Sequence, residues 1–493
     1  MKKLIILLLG IAFLNSCELD MQPESQLTFN GFWESEEAVR AAHTGIMAAY
    51  RGYAYTFFQM GELRSDVWGG NTIESPYGID LIENNISSSI VHFSNWSNFY
   101  GLLHYVNDFI QNAPNVTFKK ESDLNHLMGQ AYGIRAHIYY TMVRAWGDVP
   151  ISTEPLLEVD LEKLKKARAP RSEVMQLIKS DIAKSLEYFG SDNSLWLNRT
   201  VYWSKGATLA LKGDAYLWSG KVLGGGTADF TEAKTALQDV AGFELVSYDK
   251  LWGQGNENNK EFIFAFDYQQ DQSSNFYFNF TGRAVDIRTM YDDQGNSMSG
   301  FVINGASRYG PTDKVLLLID DLNDARRNTF LRLYSDGAVH IPYVAAEASY
   351  QGAVMNKFLG IVDADGSRKD FNNVPLYRYA DVLLMLAEAK NNLTEDPSAE
   401  INMVRERAYG ANYGGAYIYV NGSQADNAKA ILDERLKEFI GEGKRWWDLV
   451  RAGGTFVFDE VATLDPSEAY KIYYSISQSM LANDSELVQT EGY

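Results

Sequence analysis

Aromatic side chains in loop-like stretches are the residues of this chain best suited to binding chemistry. Two stretches rich in Gly, Asn and Asp, near residues 51–85 and 243–373, carry these rings. Flat rings can stack on the C–H faces of sugars, while nearby amide and guanidinium groups hydrogen-bond to hydroxyls. The candidate ligand-binding residues are Trp68, Asn71, Tyr77, Tyr268, Tyr277, Arg283 and Tyr309, and Phe276 and Phe278 are further candidate rings beside Tyr277. Any one ring could instead pin a loop to the scaffold, but loops on rigid scaffolds often carry function, so the set predicts a site.

Trp68 and Tyr77 are the two rings that we expect to stack on a ligand. Trp68 is followed by Gly69 and Gly70, and no helical periodicity surrounds it. We therefore expect the glycines to leave room for a ligand and the indole to lie outside the core. Tyr77 follows Pro76, which stiffens the backbone and lowers the entropic cost of presenting the ring.

The sequence carries no catalytic or metal signature. It has no G-x-S-x-G or H-E-x-x-H motif, and its 6 His show no metal-ligand spacing. Asp363, Asp365 and Asp370, with Gly366, resemble the start of a calcium loop, but the Glu required at the twelfth position is missing, so a simple turn is favoured. We therefore predict a protein that is not an enzyme and that has no cofactor and no metal site.

The composition predicts a folded, acidic protein. Among 493 residues, 44 Lys+Arg face 64 Asp+Glu, giving a net charge of −20. Such a polyanion has no electrostatic reason to approach nucleic acid. One Cys cannot form an internal disulfide, so the core must hold the fold. The 30 Tyr, 25 Phe and 10 Trp exceed what core packing requires, which favours wet aromatic surfaces for sugars or peptides.

The N-terminus has the pattern of an export signal. Lys2 and Lys3 precede an apolar run from Leu4 to Leu14, too short to span a bilayer. The only Cys follows at position 17 and resembles the lipobox of bacterial lipoproteins, in which this Cys is acylated, for example with palmitate. An ordinary signal peptide with an incidental Cys is the alternative. We predict a signal peptide over 1–16, lipidation of Cys17 and a lipidated tether over 17–35.

Helical periodicity in the remaining chain predicts a mainly α fold. We pair eight of the predicted helices into four hairpins: 36–51 with 96–112, 122–146 with 172–189, 203–222 with 231–240, and 376–391 with 398–409. Residues 51–85 are predicted to be loop, and residues 243–373 irregular with short strands at best. We divide the chain into segments 36–242 and 243–493 and expect them to form one compact unit.

The segment from Arg445 to Arg451 combines charge and indoles. Arg445, Asp448 and Arg451 are three residues apart, so on a helix they can form a ladder of ion pairs while Trp446 and Trp447 pack inward. A sugar platform is the alternative, and the structural interpretation is favoured.

Four segments taken together resemble the SusD/RagB family of outer-membrane nutrient-binding lipoproteins. They read FWESEEAVRAAHTGIMAAYRG, AYGIRAHIYYTMVRAWGDVPI, YWSKGATLALKGDAYLWSGKV, and VPLYRYADVLLMLAEAKNN followed by ILDERLKEFIGEGKRWWDLVRAG. The resemblance implies a right-handed stack of four tetratricopeptide-like hairpins with a large irregular, loop-rich insertion half. It also implies a non-catalytic protein that sits on a SusC-like TonB-dependent outer-membrane transporter.

We therefore expect a surface-exposed lipoprotein of the cell outer membrane that captures oligosaccharides and delivers them to the transporter. Oligopeptide, bound in extended form with side chains in aromatic pockets, is the alternative ligand. A lipid-anchored glycosidase is a further alternative, which the lack of a catalytic signature disfavours.

Overall fold

The computed structural model describes residues 32–90, 92–156, 165–253, 255–302 and 305–493. The predicted signal peptide, Cys17 and the tether up to residue 31 lie outside the described residues. Among those that are described, no helix is both long and apolar enough to cross a bilayer.

The secondary structure is mainly helical, as predicted. The α-helices are α1 Glu36–Arg51, α2 Ala54–Glu62, α3 Ile79–Ile82, α4 Ser97–Asn112, α5 Glu121–Trp146, α6 Arg171–Phe189, α7 Lys205–Val222, α8 Gly226–Gln238, α9 Ala284–Ile287, α10 Asp313–Leu318, α11 Tyr379–Asn392, α12 Ser398–Tyr409, α13 Gln424–Phe439, α14 Arg445–Ala452, α15 Phe456–Glu460 and α16 Gln478–Asn483. The strands are β1 Phe262–Phe266, β2 Phe330–Tyr334, β3 Tyr350–Met355, β4 Ile361–Val362, β5 Arg368–Lys369 and β6 Val374–Arg378.

The four predicted helix pairs form hairpins. Helix α1 packs on α4, α5 on α6, α7 on α8, and α11 on α12. Successive hairpins are joined by contacts of α4 with α5, α6 with α7, and α8 with α11. Helix α1 begins as the sequence indicates, because the Ser35 side chain accepts a hydrogen bond from the Ala38 amide at 3.1 Å.

The central helix α5 is buried on almost every side. From His126 to Trp146, only Tyr132 is partly exposed. A polar group buried this deeply needs a partner, and Arg135 finds one in Asp181, with Nε and Nη2 donating to the two carboxylate oxygens at 2.8 and 2.7 Å. Gly133 lets Trp203 pack directly on the helix, since a Cβ there would lie 2.1 Å from the indole nitrogen.

The irregular half contains only short antiparallel pairs within the described residues: β1 with β6, β2 with β3, and β4 with β5. It is joined to the C-terminal helices by a buried ionic network centred on Arg378, which is fully buried. Its guanidinium pairs with Glu261 at 2.7 Å, Glu438 at 2.6 Å and Glu442 at 2.9 Å. Breaking one partner of such a network leaves an uncompensated buried charge, which costs about 3–5 kcal/mol.

The segment from Arg445 to Arg451 forms α14 and is structural, as predicted. Both indoles are buried, and Arg451 pairs with Asp448 at 3.0 Å. The predicted pair between Arg445 and Asp448 is wrong. Arg445 instead donates from Nε and Nη2 to the two carboxylate oxygens of Asp66, at 2.8 and 2.9 Å, because the segment after α2 folds against α14.

Helix α2 corrects the prediction that residues 51–85 are all loop. Its side chains Ala54, Phe57, Phe58 and Met60 are buried. Aromatic residues have modest helix propensity and this helix has no side-chain N-cap, so tertiary burial rather than local sequence stabilises it. The contact is close, since a Cβ on Gly61 would lie 1.8 Å from the Gly443 carbonyl oxygen.

Gly61→Ala should therefore lower the free energy of unfolding by about 2 kcal/mol or more, because neither backbone can move away cheaply. Gly45→Ala is the matched control, since Gly45 lies in α1 and a methyl group added there would have no neighbouring atom within 4 Å. That variant should gain up to about 1 kcal/mol from helix propensity. Urea denaturation of both variants checks the prediction, and equal midpoints would contradict the close approach of α2 to Gly443.

Candidate ligand-binding site

The candidate site is built by three segments that are far apart in sequence. Residues 305–312 run between residues 67–77 on one side and residues 278–282 on the other. On the first side, Gly310 O accepts from the amides of Gly69 and Gly70 at 3.0 Å, and Arg308 O accepts from the Tyr77 amide at 3.2 Å. On the second, Arg308 donates its amide to Asn279 O at 3.1 Å. Backbone hydrogen bonds therefore fix the position of this loop surface.

Glycines make the approach of these backbones possible. A Cβ on Gly70 would lie 1.9 Å from Pro311 O, and one on Gly310 would lie 2.2 Å from Asn71 O. The expectation that glycine leaves room for a ligand is therefore wrong for Gly70, because the space beside it holds the 310–312 backbone.

Trp68 is buried, with 2% of its surface exposed, so the expectation of a free indole is wrong. Its ring centroid lies 5.1 Å from that of Phe280 and 5.9 Å from that of Phe330. Its indole N–H donates to Glu62 Oε1 at 3.2 Å. The burying residues come from the irregular half, so nothing in the local sequence reveals them.

Tyr77 is the exposed ring of the site, with 51% of its surface accessible. It stands edge-on to Tyr309, with 6.4 Å between centroids, and the Arg308 guanidinium lies 6.0 Å from the Tyr77 centroid. Tyr309 is buried beneath it, and its hydroxyl lies 2.7 Å from that of Tyr55. Burial raises the pKa of both hydroxyls, so both stay neutral and can only donate or accept hydrogen bonds.

Asn71 and Arg283 are also exposed on this surface. The Arg283 side chain pairs with Glu74 and, at 2.9 Å, with Asp286. The Ser307 amide donates to Glu74 Oε2 at 2.9 Å, so the Glu74 carboxylate joins residues 283 and 307 to the segment 67–77. The ligand-binding roles of Asn71, Tyr77 and Arg283 stay predictions.

Tyr268, Tyr277 and Tyr309 are candidate ligand-binding residues of the sequence that do not present free rings, because all three are buried. Tyr277 is fully buried, stacks on Phe358 with 3.8 Å between centroids, and donates its hydroxyl to Gly441 O at 2.8 Å. Tyr268 has 8% of its surface exposed, and burial raises its pKa to about 12. Both belong to the packing behind the surface.

The exposed Arg308 side chain was not among the predicted site residues. Arg308 lies beside Tyr309 in sequence, which is the only sequence signal for it. Phe278 was a candidate ring and is exposed by 42%, whereas the other rings of the aromatic run from Phe276 to Phe280 are buried.

Glu62 supports the site from below. Its carboxylate accepts the Gly441 amide and the Gly443 amide, each at 2.7 Å, in addition to the Trp68 indole. Burial raises the pKa of the Glu62 carboxyl to about 7, although these amides favour the charged form and partly offset the effect. The side chain thus holds the C-terminal turn against the first residues of the site.

The acidic segment around Asp363 forms a turn between β4 and β5. The Asp363 amide donates to Ser367 O at 2.8 Å, and Asp365 Oδ1 accepts the Ser367 amide at 2.8 Å. Asp370 lies apart from these groups and is buried, and burial raises its pKa to about 6. In the described part of the chain, no group of three or more His, Cys, Asp or Glu could hold a metal ion.

Comparisons with known proteins agree with this architecture. The model of the SusD family matches residues 337–493, and a model described as starch-binding associating with outer membrane matches residues 19–217. A SusD-like protein P38 of Formosa agariphila is 28% identical, with 90% of each chain covered. B. fragilis NanU is 32% identical with a TM-score of 0.84, covering 96% of this chain and 100% of that one. The chain belongs to the SusD family.

A solved laminarin-binding SusD-like protein has the same fold. It is 21% identical with a TM-score of 0.70, covering 93% of this chain and 100% of that one. Four helical hairpins with a large irregular half are therefore the architecture of the family, as the sequence predicts.

Trp68→Ala should lower the free energy of unfolding by about 3–5 kcal/mol, because it empties a core position and removes a donor to Glu62. Tyr77→Ala is the control from the same segment and should change stability by less than about 1 kcal/mol, since half of the ring is already in water. Chemical denaturation monitored by circular dichroism measures both. Equal stability of the two variants would contradict the buried position of Trp68.

Proposed function

We propose that this protein is a surface-exposed lipoprotein of the outer membrane that captures oligosaccharides and delivers them to a SusC-like TonB-dependent transporter. The observation that carries the binding part is the Tyr77 ring, exposed by 51% yet fixed to a rigid backbone. A ring presented in this way stacks on a sugar face at small entropic cost. The starch-binding description of one matching model and the laminarin-binding neighbour support a glycan as the ligand.

The polar groups beside Tyr77 suit sugar hydroxyls. Arg308 has no carboxylate partner among the described residues, and Asn71 is exposed, so both can donate hydrogen bonds to a ligand. Arg283 is held by Glu74 and Asp286 and therefore offers a positioned guanidinium. We propose that a glycan chain lies across Tyr77, with Asn71, Arg283 and Arg308 at its edges.

Tyr77→Ala should weaken glycan binding roughly tenfold or more, the effect of losing a central aromatic contact worth about 1–3 kcal/mol. Laminarin and starch are the probes, and retardation in native gels that contain each polysaccharide, followed by calorimetric titration, measures affinity. Tyr105→Ala is the matched control, because Tyr105 lies on α4 and is 57% exposed.

Equal affinity of a glycan for the wild type and for Tyr77→Ala would show that the glycan-binding site does not lie on this surface. Binding of extended peptides, with no retardation by either polysaccharide, would replace the glycan proposal with the oligopeptide one.

The proposal of a lipid anchor rests on the N-terminal sequence. Cys17→Ala should abolish acylation and release a folded, soluble body, because without acyl chains the apolar run from Leu4 to Leu14 is left, and this run is too short to span a bilayer. Metabolic labelling with palmitate and fractionation after a salt wash measure the effect. Retention of the variant in the membrane fraction would contradict lipid anchoring.

A further inference from the structure

A second cavity lies in the irregular half and shares no residue with the Tyr77 surface. It has a volume of about 190 Å³ and lies between residues 251–253, 256–257 and 262, the turn at 356–360, and the pair Asn372 and Asn373. A cavity of roughly 150 Å³ holds a benzene molecule, so this one has room for a single six-membered ring with its substituents.

The apolar wall of the cavity is rigid. Trp252 packs edge-on against Phe358, with 4.8 Å between centroids, and lies 5.8 Å from Phe262. The Lys357 ammonium lies 4.7 Å from the Trp252 centroid. That ammonium is itself fixed, since it pairs with Glu442 and donates to Glu438 O and Ile440 O at 3.1 Å. The wall is therefore organised before any ligand arrives.

Unused hydrogen-bonding groups belong to the residues that line the cavity. The Trp252 indole N–H is buried and finds no acceptor among the described residues. A buried donor without a partner costs about 1–3 kcal/mol, so such a group is normally satisfied by water or by a ligand.

Three carboxamides of the lining are fixed by their NH₂ groups. Asn256 donates to Trp252 O at 2.7 Å, Asn356 to Asn328 O at 3.1 Å, and Asn372 to Glu257 Oε1 at 3.1 Å. None of their Oδ1 atoms accepts a hydrogen bond from the described residues. The lining residues thus offer several free acceptors.

We propose that this cavity is a second binding site, which takes one neutral sugar ring. Sugar hydroxyls donate to the carboxamide oxygens and to the Glu257 carboxylate. The apolar face of the ring lies on the Trp252 and Phe358 wall. Glu257 repels anionic sugars, and the small volume admits a monosaccharide or one terminal residue of a glycan. The proposal does not depend on the function proposed for the Tyr77 surface.

The test follows the Trp252 indole signal in the full-length protein. The protein carries 10 Trp, so ¹⁵N-indole labelling gives few resonances, and Trp252→Phe identifies the one that matters. The probes are D-glucose, D-galactose and D-mannose, titrated through the millimolar range in a detergent that contains no sugar. We expect at least one of them to shift the Trp252 resonance, with the same midpoint in wild type and in Tyr77→Ala.

Asn356→Ala tests the acceptor set at an exposed position where folding is not at risk. It should weaken the binding of the sugar that shifts the Trp252 resonance at least threefold, as measured by the titration midpoint. Asn115→Ala, a change of another exposed Asn whose NH₂ donates to a main-chain oxygen at 3.3 Å, should leave the midpoint unchanged.

If none of the three sugars shifted the Trp252 resonance, the proposal would be overturned, and the cavity would be interpreted as filled by water. A shift that disappears in Tyr77→Ala would overturn it as well, because the signal would then come from the other surface. Failure of Tyr77→Ala to affect polysaccharide binding concerns only that surface, so the two proposals fail separately.

Discussion

The Glu62 carboxylate is the constraint on which the arrangement of this molecule depends. It lies at the end of α2. Its two oxygens accept hydrogen bonds from the Trp68 indole N–H and from the amides of Gly441 and Gly443. One buried group therefore positions a helix of the first half, the start of the site loop and the turn between two C-terminal helices. The absence of a side chain at Gly61 brings the two backbones close enough for this contact.

Around Glu62, buried ion pairs between side chains, more than regular sheets, join the irregular half to the helices. Arg378 and its three carboxylates lie at the junction of the short strands with α13 and the turn after it. A network of this kind is a weak source of net stability, because desolvation offsets most of the attraction. Its geometric demands are strict, however, and we interpret it as what fixes the irregular segments in one conformation on the helical scaffold.

The sequence predicts the helical scaffold well and the site only in part. Hairpin helices such as α5 and α6 carry their burial pattern in a 3.6-residue period, which local sequence displays. Tyr77 is exposed as expected from its place after Pro76. Trp68 could not be assigned correctly, since the rings that bury it, Phe280 and Phe330, lie more than 200 residues away. Helix α2 escaped prediction for the same reason, as its aromatic faces acquire partners only in the tertiary structure.

The separation between Glu62 and Gly441, 379 positions along the chain, has a consequence for the order of folding. Contacts between distant residues carry the largest loop-closure entropy and form late, whereas helical hairpins form from local contacts. The repeats of the first half can thus assemble while the loops that they support are still unordered. The surface around Tyr77 becomes native only when the C-terminal turn docks, so a chain truncated at that end would display a folded scaffold whose loops are not yet ordered.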